Sequence, residues 1–197
     1  MDRHNHSETL IIVLHEIYGV NKHIENAAAH FRKAGFSVLC PDFSGQRVPF
    51  VYAAQESAYK HFISEAGFEK GVLTVEKLLP EAKQKYRKVF LCGYSAGATV
   101  AWLCSGNPAL DGIIGFYGSR IRDHFHISPR CPALLLFPEF EKSFDAAELA
   151  ASLDKPGVEV HILEGGHGFA DPFSPNYHED SFIKASRLVD EFLSKNL

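Results

Sequence analysis

Short, nearly unbroken apolar runs recur along this chain at Thr9–Leu14, Phe36–Cys40, Val89–Cys92, Gly112–Phe116, Ala133–Phe137 and Val158–Leu163. Such runs of Val, Ile, Leu and Phe, with little polar alternation, suit strands buried on both faces of a parallel sheet. The stretches between them carry a helical period. From Asn21, a candidate N-cap, Ile24, Ala27, Ala28 and Phe31 share one face, and Gly35 ends the run. Val51–Lys83 carries Val72, Val75, Leu78 and Leu79, with breaks expected at Gly67 and Gly71. Ala146–Leu153 reads as a shorter helix. Phe182, Ala185, Leu188, Val189 and Phe192 define an amphipathic C-terminal helix. Strands alternating with helices specify an α/β architecture with right-handed crossovers. The expectation is one domain over residues 1–197 with a flexible polar tail at 1–8, built on a mostly parallel sheet of about six strands.

The composition narrows the function. A net charge of −4 and a pI near 6.2 leave no basic stripe to neutralise phosphates, which argues against nucleic-acid or anionic-membrane partners. The four cysteines, Cys40, Cys92, Cys104 and Cys131, form no Cys-x-x-Cys pair, and three of them flank apolar runs. That usage fits reduced, buried thiols in a cytoplasmic protein. The N-terminus lacks the apolar core of a signal peptide, and no stretch is long enough to span a bilayer. His4 and His6 are read as part of the polar tail rather than as metal ligands.

In parallel α/β sheets the ligand crevice lies beyond the carboxyl ends of the strands. The residues there are chemically pointed. The run Lys88–Cys92 leads into Gly93-Tyr94-Ser95-Ala96-Gly97 and then a small-residue helix. This is the pattern of a nucleophile elbow, whose sharp turn lifts the serine out at the end of the sheet. A serine hydroxyl needs a base, and the base needs an acid. Among eleven histidines, His167 is the best base, because it follows the last apolar run in the glycine-rich stretch Gly165-Gly166-His167-Gly168. His161 lies inside a strand pattern. His23, His30, His61 and His178 fall on helical segments and read as solvated, and His124 and His126 sit in a polar loop. The acid should lie between serine and histidine, just after a strand, where Glu139, Glu141 and Asp145 all qualify. An oxyanion would be held by the amide of Ala96 and one from the first loop, Ile17. Tyr18, Tyr117 and Phe169 are candidates to shape an apolar pocket. Arg47, Arg120, Arg122 and Arg130 read as solvated surface groups, and Asp42 as a cap on the turn after the second strand.

The stretch His15-Glu16-Ile17-Tyr18-Gly19-Val20-Asn21, the later Ala34–Asp42 segment, the elbow, Gly115-Phe116-Tyr117-Gly118 and His167-Gly168-Phe169 together resemble the dienelactone hydrolase family of the α/β-hydrolase fold. The resemblance implies a compact α/β-hydrolase fold, a nucleophile–acid–histidine triad, an acyl-enzyme route, and neither metal nor cofactor. The family's acid loop resembles Pro138-Glu139-Phe140-Glu141, which puts Glu141 at the acid position. Its first-loop glutamate matches Glu16, expected here to order the loop or contact substrate. Three departures stand out. Dienelactone hydrolase itself carries cysteine at the elbow, whereas this chain has Ser95. The acid is a glutamate. Ala170-Asp171-Pro172 replaces the stretch that brings a substrate-binding arginine, so dienelactone cleavage is not the expected reaction.

The combined expectation is a serine hydrolase acting on a small-molecule carboxylic ester or lactone, of undetermined oligomeric state. Ser95 is the nucleophile, His167 the base and Glu141 the acid. A non-catalytic binding protein of the same fold, or an acyltransferase or peptidase with the same triad, are the competing readings.

Overall fold

A computed structural model describes residues 8–197. His4, His6 and most of the expected tail lie outside those residues. Glu8 is described, and its carbonyl accepts from the Arg87 amide at 2.8 Å, so the chain is tied down one residue earlier than expected.

The described strands are β1 (Thr9–Leu14), β2 (Ser37–Leu39), β3 (Lys88–Tyr94), β4 (Gly112–Phe116), β5 (Ala133–Phe140) and β6 (Val158–Gly166). They form a single sheet in the order β2-β1-β3-β4-β5-β6. Every neighbouring pair is parallel. Alternate residues of β1 feed opposite faces, as the period of a strand demands. Leu10, Ile12 and Leu14 join one core with Val75, Leu79 and Val100. Ile11 and Val13 join the other, with Ile24, Phe31 and Phe192. The helices thereby divide into two layers. α1 (Lys22–Lys33) and the last helix, α6 (Glu179–Asn196), cover one face. α3 (Gly67–Lys85), α4 (Ala96–Cys104) and α5 (Ala146–Ser152) cover the other.

Local chemistry sets the boundaries. Asn21 caps α1 by accepting the Ile24 amide at 3.2 Å, and Gly35 leaves the helix with φ +98°. Between β2 and α3 the chain makes a long excursion containing α2 (Gln55–His61) and a π-helical turn, Phe62–Ala66. Gly67, at φ +67°, separates that turn from α3 as expected. Gly71 does not break the helix. It lies inside α3, where a Cβ would come 2.6 Å from a Val100 methyl, so its glycine serves the close packing of α3 on α4. The outer strands also differ from expectation. β2 spans three residues and β6 is largely half-exposed, because each lies at an edge of the sheet.

The order reverses direction between β1 and β3. The chain steps outward from β1 to β2, then returns to β3 and proceeds the other way. Such a switch point opens a crevice at the carboxyl ends of the two strands, and the loop after β1 and the turn after β3 face each other across it.

Candidate active site

The turn after β3 is tight for a measurable reason. Ser95 adopts φ 51° and ψ −109°, a left-handed backbone that costs on the order of 1–3 kcal/mol and persists only where the surroundings enforce it. The enforcement is steric and hydrogen-bonded. A Cβ on Gly93 would sit 2.2 Å from the Gly97 carbonyl oxygen, and one on Gly97 would sit 2.2 Å from that of Leu14. The Ser95 amide donates to the Phe116 carbonyl at 2.8 Å, so the turn stays stitched to β4.

His167 directly follows β6, between Gly165 and Gly168, which take φ +105° and +91°. Its carbonyl accepts from Asn176 Nδ2 at 2.8 Å, and its ring packs 4.9 Å from that of Tyr117. So held, Nε2 lies 2.9 Å from Ser95 Oγ and Nδ1 lies 2.7 Å from Glu141 Oε2. The carboxylate can only accept, so Nδ1 carries the proton and Nε2 offers its lone pair to the hydroxyl. Burial works to raise the Glu141 carboxyl, but the hydrogen bond and charge of His167 outweigh it and hold the group below its ordinary value. Of Glu139, Glu141 and Asp145, Glu141 is the one within reach of His167. A register shift between Pro138 and Phe140 leaves Glu139 exposed and brings Glu141 to the histidine. Asp145 caps α5, accepting the amides of Ala147 and Glu148 at 2.8 and 3.0 Å.

These groups line a cleft of about 1370 Å³, together with Ile17, Ala96, Glu16 and Tyr18. Ala96 opens α4, so its amide is among the first of the helix, which lack intrahelical acceptors. One wall is apolar, with Phe62, Phe68 and Phe144. Tyr18 is half-buried and meets Tyr52 edge-on at 4.9 Å. Tyr117 and Phe169 are not at the cleft surface. Both are fully buried in the core behind it, because the rings of Tyr94, Phe116, Tyr117 and Phe169 pack on one another.

At the back of the cleft lies a polar cluster that sequence reasoning missed. Asp171, 2% exposed, accepts the Tyr52 hydroxyl and the Phe173 amide at 2.8 Å. His23 Nδ1 lies 3.5 Å from it, and His23 Nε2 lies 3.4 Å from the Tyr117 hydroxyl. His23 is therefore buried, not solvated, and burial pushes its pKa down to about 4. Glu16 is 5% exposed. Burial raises its carboxyl to about 7, with His167 opposing and Asp171 adding to the rise. The signal for Asp171 was an acid beside Phe169 and Ala170 in an otherwise apolar stretch. Tyr52 gave none. Among the other histidines, His30 is exposed, whereas His61, His161 and His178 are half-buried. His124 and His126 do not line the cleft, whereas Arg120 and Arg122 do. Asp42 caps its turn as expected, accepting the Ser44 amide at 2.7 Å.

The sequence profile of the dienelactone hydrolase family matches residues 2–197. The chain belongs to the dienelactone hydrolase family. An uncharacterised Bacillus subtilis relative, YczH, is 35% identical over 91% of this chain and 90% of its own. A Pseudomonas putida carboxymethylenebutenolidase is 26% identical over 94% of this chain and 85% of its own. Among solved structures, a dienelactone hydrolase-like promiscuous phosphotriesterase from metagenomic libraries superposes with a TM-score of 0.77 at 18% identity, covering 95% of this chain and 86% of that one. The six-stranded parallel sheet with helices on both faces is thus the α/β-hydrolase fold of this family. No helix among the described residues is long and apolar enough to cross a membrane. Among the same residues no group of His, Cys, Asp and Glu is arranged to hold a metal ion.

Proposed function

We propose that this member of the dienelactone hydrolase family is a serine hydrolase that cleaves carboxylic esters or lactones through an acyl-enzyme. The observation that carries the reading is the position of His167, in hydrogen-bond reach of Ser95 on one side and Glu141 on the other. Ser95 Oγ attacks the acyl carbon while His167 Nε2 takes its proton, and Glu141 stabilises the imidazolium that forms. The amides of Ile17 and Ala96 hold the oxyanion. His167 then protonates the leaving alcohol, and water repeats the sequence to free the acid. The chemistry calls on no cofactor.

The charges beside the nucleophile narrow the substrate. Carboxymethylenebutenolidases are, by that word, enzymes of a lactone bearing a carboxyl group. In this chain the acidic groups buried at the cleft are themselves carboxyls, Glu16 and Asp171. Arg120 is half-exposed and paired with Asp123 at 2.8 Å. Arg122 is occupied by the Ser119 carbonyl and the Phe144 ring. Above about pH 7, where Glu16 ionises, buried carboxylates disfavour an anionic ligand more than arginines already held by other partners favour it. The preferred substrate is therefore a neutral ester or lactone with an apolar acyl or alcohol group for the Phe62–Phe144 wall.

The test is covalent labelling with a fluorophosphonate, together with turnover of short-chain aryl esters. Wild type should gain an adduct on Ser95, and Ser95→Ala should lose the adduct and about 10⁶-fold of kcat. Turnover retained by Ser95→Ala would overturn the reading.

A further inference from the structure

The loop after β1 carries a fully buried histidine that the mechanism above does not use. His15 is 0% exposed and stacks on Phe43, with centroids 3.7 Å apart and planes 13° apart. Its Nδ1 lies 2.6 Å from the carbonyl oxygen of Glu16, and its Nε2 lies 3.1 Å from the Phe43 amide and 3.2 Å from Asp42 Oδ1.

The proton positions follow from the partners. A carbonyl only accepts, so Nδ1 must carry hydrogen and donate to Glu16. Nε2 then accepts from the Phe43 amide when the ring is neutral, or donates to Asp42 when it is charged. In either state the Nδ1 bond to Glu16 persists. The ring thus bridges two loops, the one after β1 and the turn at Asp42–Phe43 that follows β2.

The Glu16 carbonyl belongs to the same peptide plane as the Ile17 amide. In a trans peptide the C=O and N–H point in opposite directions. The His15 ring, with the Gly19 amide reaching the same oxygen at 3.4 Å, draws the carbonyl away from the cleft, and the Ile17 amide is turned the other way, where Ile17 lines the cleft. The elbow abuts this loop, since a Cβ on Gly97 would come within 2.8 Å of the His15 carbonyl oxygen. We infer that His15 is a positioning residue that fixes the Glu16–Ile17 peptide so that its amide faces the oxyanion formed at Ser95. This rests on the acyl-enzyme reading above. A hydrogen bond to the carbonyl of a plane sets the direction of its amide donor without touching substrate.

Two amide side chains separate this role from packing. In His15→Asn the side-chain nitrogen branches from Cγ, as Nδ1 does, and can still donate to Glu16. In His15→Gln the amide reaches toward Phe43 and Asp42 instead, and the donor to Glu16 is lost. With the full-length chain and p-nitrophenyl butyrate, His15→Gln and His15→Ala should lose on the order of 10²-fold in kcat, the scale of one oxyanion donor. KM should stay within about twofold, because the donor acts on the tetrahedral species and not on the bound ester. Inhibition by an arylboronic acid, whose adduct on Ser95 is tetrahedral, should weaken in parallel. His15→Asn should recover most of kcat and most of the boronate affinity. Equal kcat in all three variants, or losses that follow the melting temperature and not the donor, would overturn the inference. A wild-type chain that neither turns over aryl esters nor takes a fluorophosphonate overturns both readings. A wild type that does both, matched by His15→Ala, overturns this one alone.

Discussion

Glu141 divides its two oxygens: Oε2 accepts from His167 Nδ1 at 2.7 Å, and Oε1 accepts from Ser143 Oγ at 3.3 Å. The second bond orients the carboxylate for the first. Replacing Glu141 by Gln keeps the shape and removes the charge that opposes the imidazolium. Turnover of an aryl ester by Glu141→Gln should fall about 10⁴-fold, the scale of losing a triad carboxylate, with the melting temperature little changed. Near-wild-type kcat would remove Glu141 from the triad.

Glu16 makes stability depend on pH with a definite sign. Its carboxyl is held above its ordinary 4.5, at about 7. Between those values the native chain keeps a proton that the unfolded chain has released, so wild-type stability declines as pH rises through that window. The gap corresponds to roughly 3 kcal/mol. Glu16→Gln, which cannot ionise, should gain stability relative to wild type from about pH 4.5 to about pH 7, with a constant difference at higher pH. Urea unfolding of both chains at several pH values checks this, and a difference independent of pH would refute the buried-carboxyl account. Above about pH 7, where Glu16 is ionised, the same substitution should raise kcat/KM for carboxylate-bearing esters relative to neutral ones.

The elbow tolerates no side chain at Gly97, where a Cβ would meet the Leu14 carbonyl at 2.2 Å. Gly97→Ala should destabilise the protein by more than about 4 kcal/mol, the range reached by steric damage of this kind, or abolish soluble expression. Gly106→Ala, where an added Cβ meets nothing within 4 Å, serves as the control and should fold normally. Thermal melts of the pair decide the point.

The hydroxyl of Tyr52 ties the excursion between β2 and α3 to Asp171 at the back of the cleft. Tyr52→Phe leaves a buried carboxylate short of a donor, which should cost about 1.5–3 kcal/mol. Because Tyr52 also meets Tyr18 in the cleft wall, KM should rise more than kcat falls. Unaltered unfolding and unaltered KM would show that the contact carries no weight.

How much of this was legible beforehand follows from the kind of signal each residue sends. The strand–serine–helix pattern and the histidine after the last apolar run depend on local sequence, and the fold brings Ser95 and Glu141 within hydrogen-bond distance of His167. Edge position is a tertiary property. The runs Phe36–Cys40 and Val158–Leu163 look as apolar as the central strands, yet β2 and β6 have one neighbour each. Gly71 looked like a helix break because a glycine that relieves crowding and one that ends a helix read alike. His23 read as solvated because it lies at the start of an amphipathic helix, and the tertiary packing of α1 against Tyr94, at 4.5 Å, and beside Tyr117 and Asp171 buries it. Tyr117 and Phe169 sit in sequence beside groups of the site, but their rings turn inward. The contact between Tyr52 and Asp171 joins residues 119 positions apart, beyond the reach of any local pattern.

His167 directly follows β6, an edge strand and the last of the six in chain order, while Ser95 follows β3, near the middle of the sheet. A nascent or partly melted chain whose final edge has not zipped onto β5 therefore exposes only an inert alcohol. On the proposed serine-hydrolase reading, competence and completion of the architecture arrive together, so turnover would gauge the integrity of the entire sheet.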